Sequence, residues 1–154
     1  MSIEAKLSER GLSLPEAPAP AANYVPYVLH GGMLHTAGQI PFDESGELIR
    51  GTLGGDLSTE QGEAAAERCA LAILAQAKAA LGSLDRIERI VKLNVFVASA
   101  PGYGEQPKVA NGASNLMGEL FGEAGRHARS AVGVAALPLG VAVEIDAVIA
   151  VRDA

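Results

Sequence analysis

Residues 126–151 read RHARSAVGVAALPLGVAVEIDAVIAV, and the fold turns on how this stretch is divided. Runs of β-branched and small residues flank Leu137-Pro138, which predicts two strands joined by a Leu-Pro turn. Alternation puts Ser130, Val132 and Val134 on one face of the first strand, and Arg129, Ala131, Gly133 and Ala135 on the other. In the second strand Val141, Val143, Ile145, Ala147 and Ile149 make a core face, opposite Ala142, Glu144 and Asp146. Each strand thus directs one charged side chain, Arg129 or Glu144, away from its apolar face. If the strands pair, both charges share the non-core face of one sheet, with open space around the guanidinium. An arginine presents a planar fork to a carboxylate, and a glutamate can hold or activate water. A glutamate close to an arginine is also expected to keep its charge near neutral pH.

Upstream of this stretch the periodicity changes twice. Ser58 to Gly82 reads as a helix: Ser58 and Gln61 stand at capping-box spacing, and Ala66, Cys69, Ala70, Ile73, Leu74, Ala77 and Leu81 recur at helical intervals before Gly82 stops it. From Ile90, Val91, Leu93, Val95 and Val97 alternate with Lys92, Asn94 and Phe96, the pattern of a strand with one buried face. Pro107 to Phe121 gives a second helix, with Val109, Ala113, Leu116, Met117, Leu120 and Phe121 inward and Gly122 and Gly125 ending it. Nearer the start, Tyr24 to His30 and Met33 to Gln39 flank Gly31-Gly32 as a hairpin, and Glu47 to Thr52 is expected to pair with a neighbouring edge. Ser2 to Arg10 reads as a short helix capped by Ser2 and stopped by Gly11; the Pro-rich LPEAPAPAA then extends as a tether. Residues 1–22 are therefore set apart as helix and connector, and 23–154 as the main domain. Two long helices must cover one face of a mixed sheet, and the leftover face suits burial between subunits.

Composition narrows the function classes. With 154 residues, 49% of them apolar, the chain suits a single globular core. A net charge of −6 and a pI near 5.0 disfavour nucleic acid and anionic membranes, which reward a basic surface. The N-terminal MSIEAKLSERG alternates charges where a leader would carry basic and then apolar residues, so a cytoplasmic protein is expected. The single Cys69 falls on an apolar helix stripe and reads as a small buried hydrophobe. His30, His35 and His127 do not converge in the proposed pairing, since His30 would oppose Met33 and His35 would oppose Val28, so no metal site is expected. GTLGGD and HGG lack the lysine and the strand-to-helix setting of a phosphate loop and read as turns.

Ala128-Arg129-Ser130, Leu137-Pro138 and Val143-Glu144-Ile145, together with Ala37-Gly38-Gln39-Ile40-Pro41, resemble the Rid family of reactive-intermediate deaminases, also called YjgF or L-PSP proteins. The similarity spans about Asn23 to Val151. It implies an α+β, chorismate-mutase-like fold, a homotrimer with a central barrel, and clefts between subunits. It also implies that Arg129 pairs with a substrate carboxylate, that Glu144 positions water, and that Tyr27 and the Gly38 backbone line the pocket. Many deaminase members carry a cysteine and a glutamate where this chain has Ala131 and Gly133, which implies a wider, less polar pocket at Ala131. The family's pocket asparagine falls on Asn111 or Asn115. The expected activity is cofactor-free hydrolysis of an enamine or imine to a 2-keto acid and ammonia. The rivals are a trimer that only captures small carboxylates, and a ribonuclease, which the acidic charge opposes.

Overall fold

Ser58 closes the N-terminus of helix α2 (Thr59–Leu81) reciprocally: its hydroxyl accepts from Gln61 N at 3.2 Å, and its own N–H donates to Gln61 Oε1 at 2.8 Å. At the other end Gly82 takes φ +83°, a conformation that favours glycine, and donates to Lys78 O at 2.8 Å. All seven residues of the expected apolar stripe are buried. Burial goes further, to Leu71, Ala72, Ala75, Arg68 and Gln76, because a second layer lies over the helix's back. Gln76 Nε2 donates to Pro18 O at 3.0 Å in the connector, and Arg68 Nε donates to Phe42 O at 2.6 Å. This computed structural model describes residues 1–19 and 22–153, so Pro20 of the expected connector lies outside the described residues.

Five strands form one mixed sheet in the order β1-β2-β5-β3-β4: β1 (Tyr27–His30), β2 (Met33–Thr36), β3 (Ile87–Ala98), β4 (Ala128–Val134) and β5 (Val143–Val151). Gly31 and Gly32, at φ +62° and +76°, make the tight β1-β2 turn and set His30 opposite Met33 and His35 opposite Val28, as expected. Phe42 with Leu48, and Arg50 with Val141, make only isolated bridges. Helix α3 (Gln106–Phe121) connects β3 to β4, and both long helices cover one face of the sheet, α2 over β5 and β2 and α3 over β3 and β4. That is the expected mixed α+β arrangement. The two helices touch through glycine: a Cβ on Gly112 would fall 2.0 Å from Glu63 O.

Three expectations need correction. The strands of residues 126–151 do not pair with each other, since β3 lies between them, parallel to β4 and antiparallel to β5. A parallel neighbour needs a crossover connection, which α3 provides, and β5 then satisfies the other side of β3. Nor do Arg129 and Glu144 share a face. Leu93 pairs with both Arg129 and Ala147, on the helix-covered side, whereas Phe96 pairs with both Glu144 and Val132, on the outer side. Third, Val91 is not a core residue: the register shifts between Ile90 and Lys92, and buried Ile90 hands over to buried Leu93 across this bulge.

The N-terminal helix α1 (Ile3–Glu9) is too short to stand alone and docks through specific bonds. Ser2 caps it, Leu7 is buried, Lys6 Nζ donates to Leu120 O at 3.1 Å, and Ile3 N donates to Asp85 Oδ1 at 2.9 Å. Among the described residues no helix is long and apolar enough to cross a membrane.

Candidate functional site

Strand β4 is an edge strand, and its helix-side face carries Arg129 against α3. The guanidinium donates from Nη1 to Asn111 Oδ1 at 2.9 Å and to Ser114 Oγ at 3.1 Å, and from Nη2 to Pro107 O at 3.4 Å. Residues 111 and 114 are one helical turn apart, so they meet the same side chain. Of the two candidate asparagines, Asn111 is the one that reaches Arg129, whereas Asn115 lines a different hollow with Glu60, Glu63 and Glu119. Among the described residues the Nε hydrogen has no partner, so the guanidinium is fixed along one edge and open along another. Beside Gly133 the space toward α3 is occupied: Gln106 Nε2 and Ser99 Oγ lie 2.7 and 2.9 Å from where a Gly133 Cβ would be. Ala131 itself packs on the core.

Glu144 is half-buried on the outer face of β5 and lies against Gly38. A Cβ on Gly38 would stand 2.5 Å from Glu144 Oε2, so the side chain takes this position only because residue 38 has none. Gln39 and Ile145 exchange backbone hydrogen bonds at 2.8 and 3.0 Å, which locks the Gly38 segment to the strand that carries Glu144. Among the described residues no arginine forms an ion pair with the carboxylate. Burial, and then the charge of Asp146, raise its pKa above the usual glutamate range, so the expectation of an arginine-stabilised charge is overturned. Asp146 accepts from Asn94 Nδ2 at 2.7 Å on the same face.

Tyr27 is partly buried on the helix side of β1, at the far edge of the sheet from β4. Four strand spacings separate those edges, about 19 Å. One chain therefore brings Gly38 to Glu144 but brings neither Tyr27 nor Glu144 to Arg129. Cys69 is buried, its Sγ 3.5 Å from Val143 O, and burial pushes its thiol pKa well up, so it is a packing residue. Sequence reading missed Ser114 and His127 as partners of this site. The signals were present: Ser114 follows Asn111 by one turn, and His127 precedes Arg129 by two residues in an alternating stretch.

The family model described as "YjgF/chorismate mutase-like, putative endoribonuclease" matches residues 4–147. The chain is 53% identical over 152 residues to protein TCP17 of Trypanosoma cruzi, covering 98% of this chain and 95% of that one. Among solved structures, Atu1372 of Agrobacterium tumefaciens superposes with a TM-score of 0.90 at 48% identity, over 98% of this chain and 94% of that one. RidA of an Antarctic Psychrobacter superposes with a TM-score of 0.63 at 32% identity, over 88% and 94% of the two chains. Arg129, Glu144 and Gly38, on which the resemblance rested, are thus set in a matching fold, and the chain belongs to the YjgF/RidA family.

Proposed function

We propose that this protein hydrolyses enamines or imines derived from amino acids to 2-keto acids and ammonia, in clefts formed between the subunits of a homotrimer. Membership of the family supports a general role in enamine and imine metabolism. The observation that carries the finer reading is the state of Arg129, clamped on one edge by Asn111 and Ser114 with its Nε side open. Such a guanidinium is pre-organised for a carboxylate. Because one chain separates Arg129 from Glu144 and Tyr27, a cleft containing all three takes Arg129 from the β4 edge of one copy and the others from the β1-β2-β5 end of a second. Exposed Val28 and Val132, 51% and 46% accessible, give the outer faces apolar surface to bury around a central barrel.

In such a cleft Arg129 holds the substrate carboxylate and so fixes the adjacent C=N carbon. Glu144, with its raised pKa, accepts a proton from a water that adds to that carbon, and returns it to nitrogen. The hydroxyl proton of the carbinolamine then passes by way of Glu144 to the amino nitrogen, and the C–N bond breaks, releasing ammonia as the carbonyl forms. Imines already hydrolyse in water, so orientation and proton transfer suffice and the step requires no cofactor. A net charge of −6 weighs against the endoribonuclease reading, since a polyanion would be repelled.

The test is ammonia release from 2-iminopropionate generated in situ, run beside pyruvate binding and light scattering. Catalysed release by a trimer supports the proposal. Pyruvate binding without release would make the protein a carboxylate-capturing module, and a stable monomer would remove the shared cleft.

A further inference from the structure

Both ring nitrogens of His127 are engaged, Nδ1 with Gly125 O at 2.7 Å and Nε2 with Ser114 Oγ at 2.8 Å. A carbonyl can only accept, so Nδ1 carries the hydrogen, and in the neutral ring Nε2 must accept. The Ser114 hydroxyl therefore donates to His127 and turns its lone pairs toward Arg129 Nη1. The neutral ring is the favoured form: burial lowers the His127 pKa, the Gly125 bond opposes this, and the charge of Arg129 lowers it further. The far end of the series is rigid. A Cβ on Gly125 would fall 2.1 Å from Met117 O, so its turn is packed directly onto the backbone of α3.

We infer that His127 is a positioning residue for Arg129, acting through Ser114, so that the directed series Arg129 to Ser114 to His127 to Gly125 holds the guanidinium ready for a carboxylate. The inference rests on the proposed role of Arg129. Asn111 fixes one Nη1 hydrogen, and Pro107 O takes only a long contact from Nη2 at 3.4 Å; the bond to Ser114 occupies the second Nη1 hydrogen and tightens the hold on the plane. A serine whose hydroxyl had no acceptor could rotate and withdraw the lone pair that Arg129 uses. His127 removes that freedom.

Pyruvate affinity and iminopropionate turnover are measured for the full chain carrying Ser114→Ala, His127→Phe, His127→Gln, or Ser114→Ala with His127→Phe. Guanidinium rotation in free Arg129 is followed alongside by nitrogen-15 NMR. Ser114→Ala and His127→Phe should each raise Kd and KM about tenfold, with a smaller effect on kcat, because a misplaced clamp weakens binding first. The double variant should lose no more than either single one, as links in series require. His127→Gln, whose amide oxygen can accept from Ser114, should restore most of the affinity. Rotation at Arg129 should be slow in the wild type and faster in both single variants. Additive losses, or His127→Phe with unchanged affinity and rotation, would reduce His127 to an anchor for its turn. Failure of the wild type to bind pyruvate would overturn the proposed function instead, and rotation unchanged in the free variants would then overturn the inference by itself.

Discussion

Substituting Gly38 by alanine separates catalytic placement from stability. A Cβ at this position would lie 2.5 Å from Glu144 Oε2, 2.8 Å from Cδ and 3.1 Å from Cγ, where ordinary contact begins at 3.4 Å. The carboxylate must therefore retreat by about 1 Å, and it can, being the far end of a flexible side chain. The backbone at Gly38 is not among the positive-φ positions, so alanine fits its conformation. Stability should change by less than about 1 kcal/mol, since alanine also narrows the unfolded ensemble. Catalysis should suffer far more, because misplacing a reacting group by about 1 Å costs up to roughly 100-fold. Chemical denaturation and ammonia release on the same preparation measure both effects, with pyruvate affinity showing that the Arg129 side is intact. Full activity in a variant whose crystal structure shows Glu144 displaced would refute the assignment of the glutamate.

Arg129→Lys keeps the charge but loses the planar fork, so turnover should fall at least about tenfold, or about 1.4 kcal/mol. Because Arg129 lies against α3, the same variant should also lose about 1–2 kcal/mol of stability with its bonds to Asn111 and Ser114, read by denaturant midpoint. Glu144→Gln should bind pyruvate yet release little ammonia. Its stability should equal or exceed the wild type's at neutral pH: the folded-state pKa is raised, so the ionised glutamate costs stability above its ordinary value of 4.5 and costs nothing below it. For the same reason wild-type activity should start to fall on acidification at a higher pH than an ordinary glutamate would allow, and a flat pH–rate profile across that range would contradict the base assignment.

Elements that announce themselves locally were legible in the sequence. The Ser58 and Gln61 capping box, the Gly31-Gly32 turn and the stripe from Ala66 to Leu81 each depend on neighbours a few residues away, and each appears where the spacing puts it. Pairing was not legible, because nothing local tells β4 and β5 that β3 will enter between them. The inward face of β4 was misread for a related reason. Val132 and Val134 are more apolar than Ala131 and Gly133, yet the small residues face the helix layer, where Gln106 and Ser99 need the room. On an edge strand, apolar character on the outer face marks a surface to be covered by another chain as readily as a core. That error placed Arg129 beside Glu144, and it hid Ser114 and His127, which became visible only once α3 was known to lie over Arg129.

The central claim is that Arg129 and Glu144 act on one substrate from different copies of the chain. Arg129→Lys and Glu144→Gln proteins, each strongly impaired alone, can be unfolded together, refolded as a mixture and assayed for ammonia release from iminopropionate. In randomly assembled trimers from an equal mixture, about a quarter of the clefts would join an intact arginine from one chain to an intact glutamate from the next. Recovery of about a quarter of wild-type specific activity is the predicted result. A refolded, trimeric mixture no more active than its parents would contradict the shared cleft.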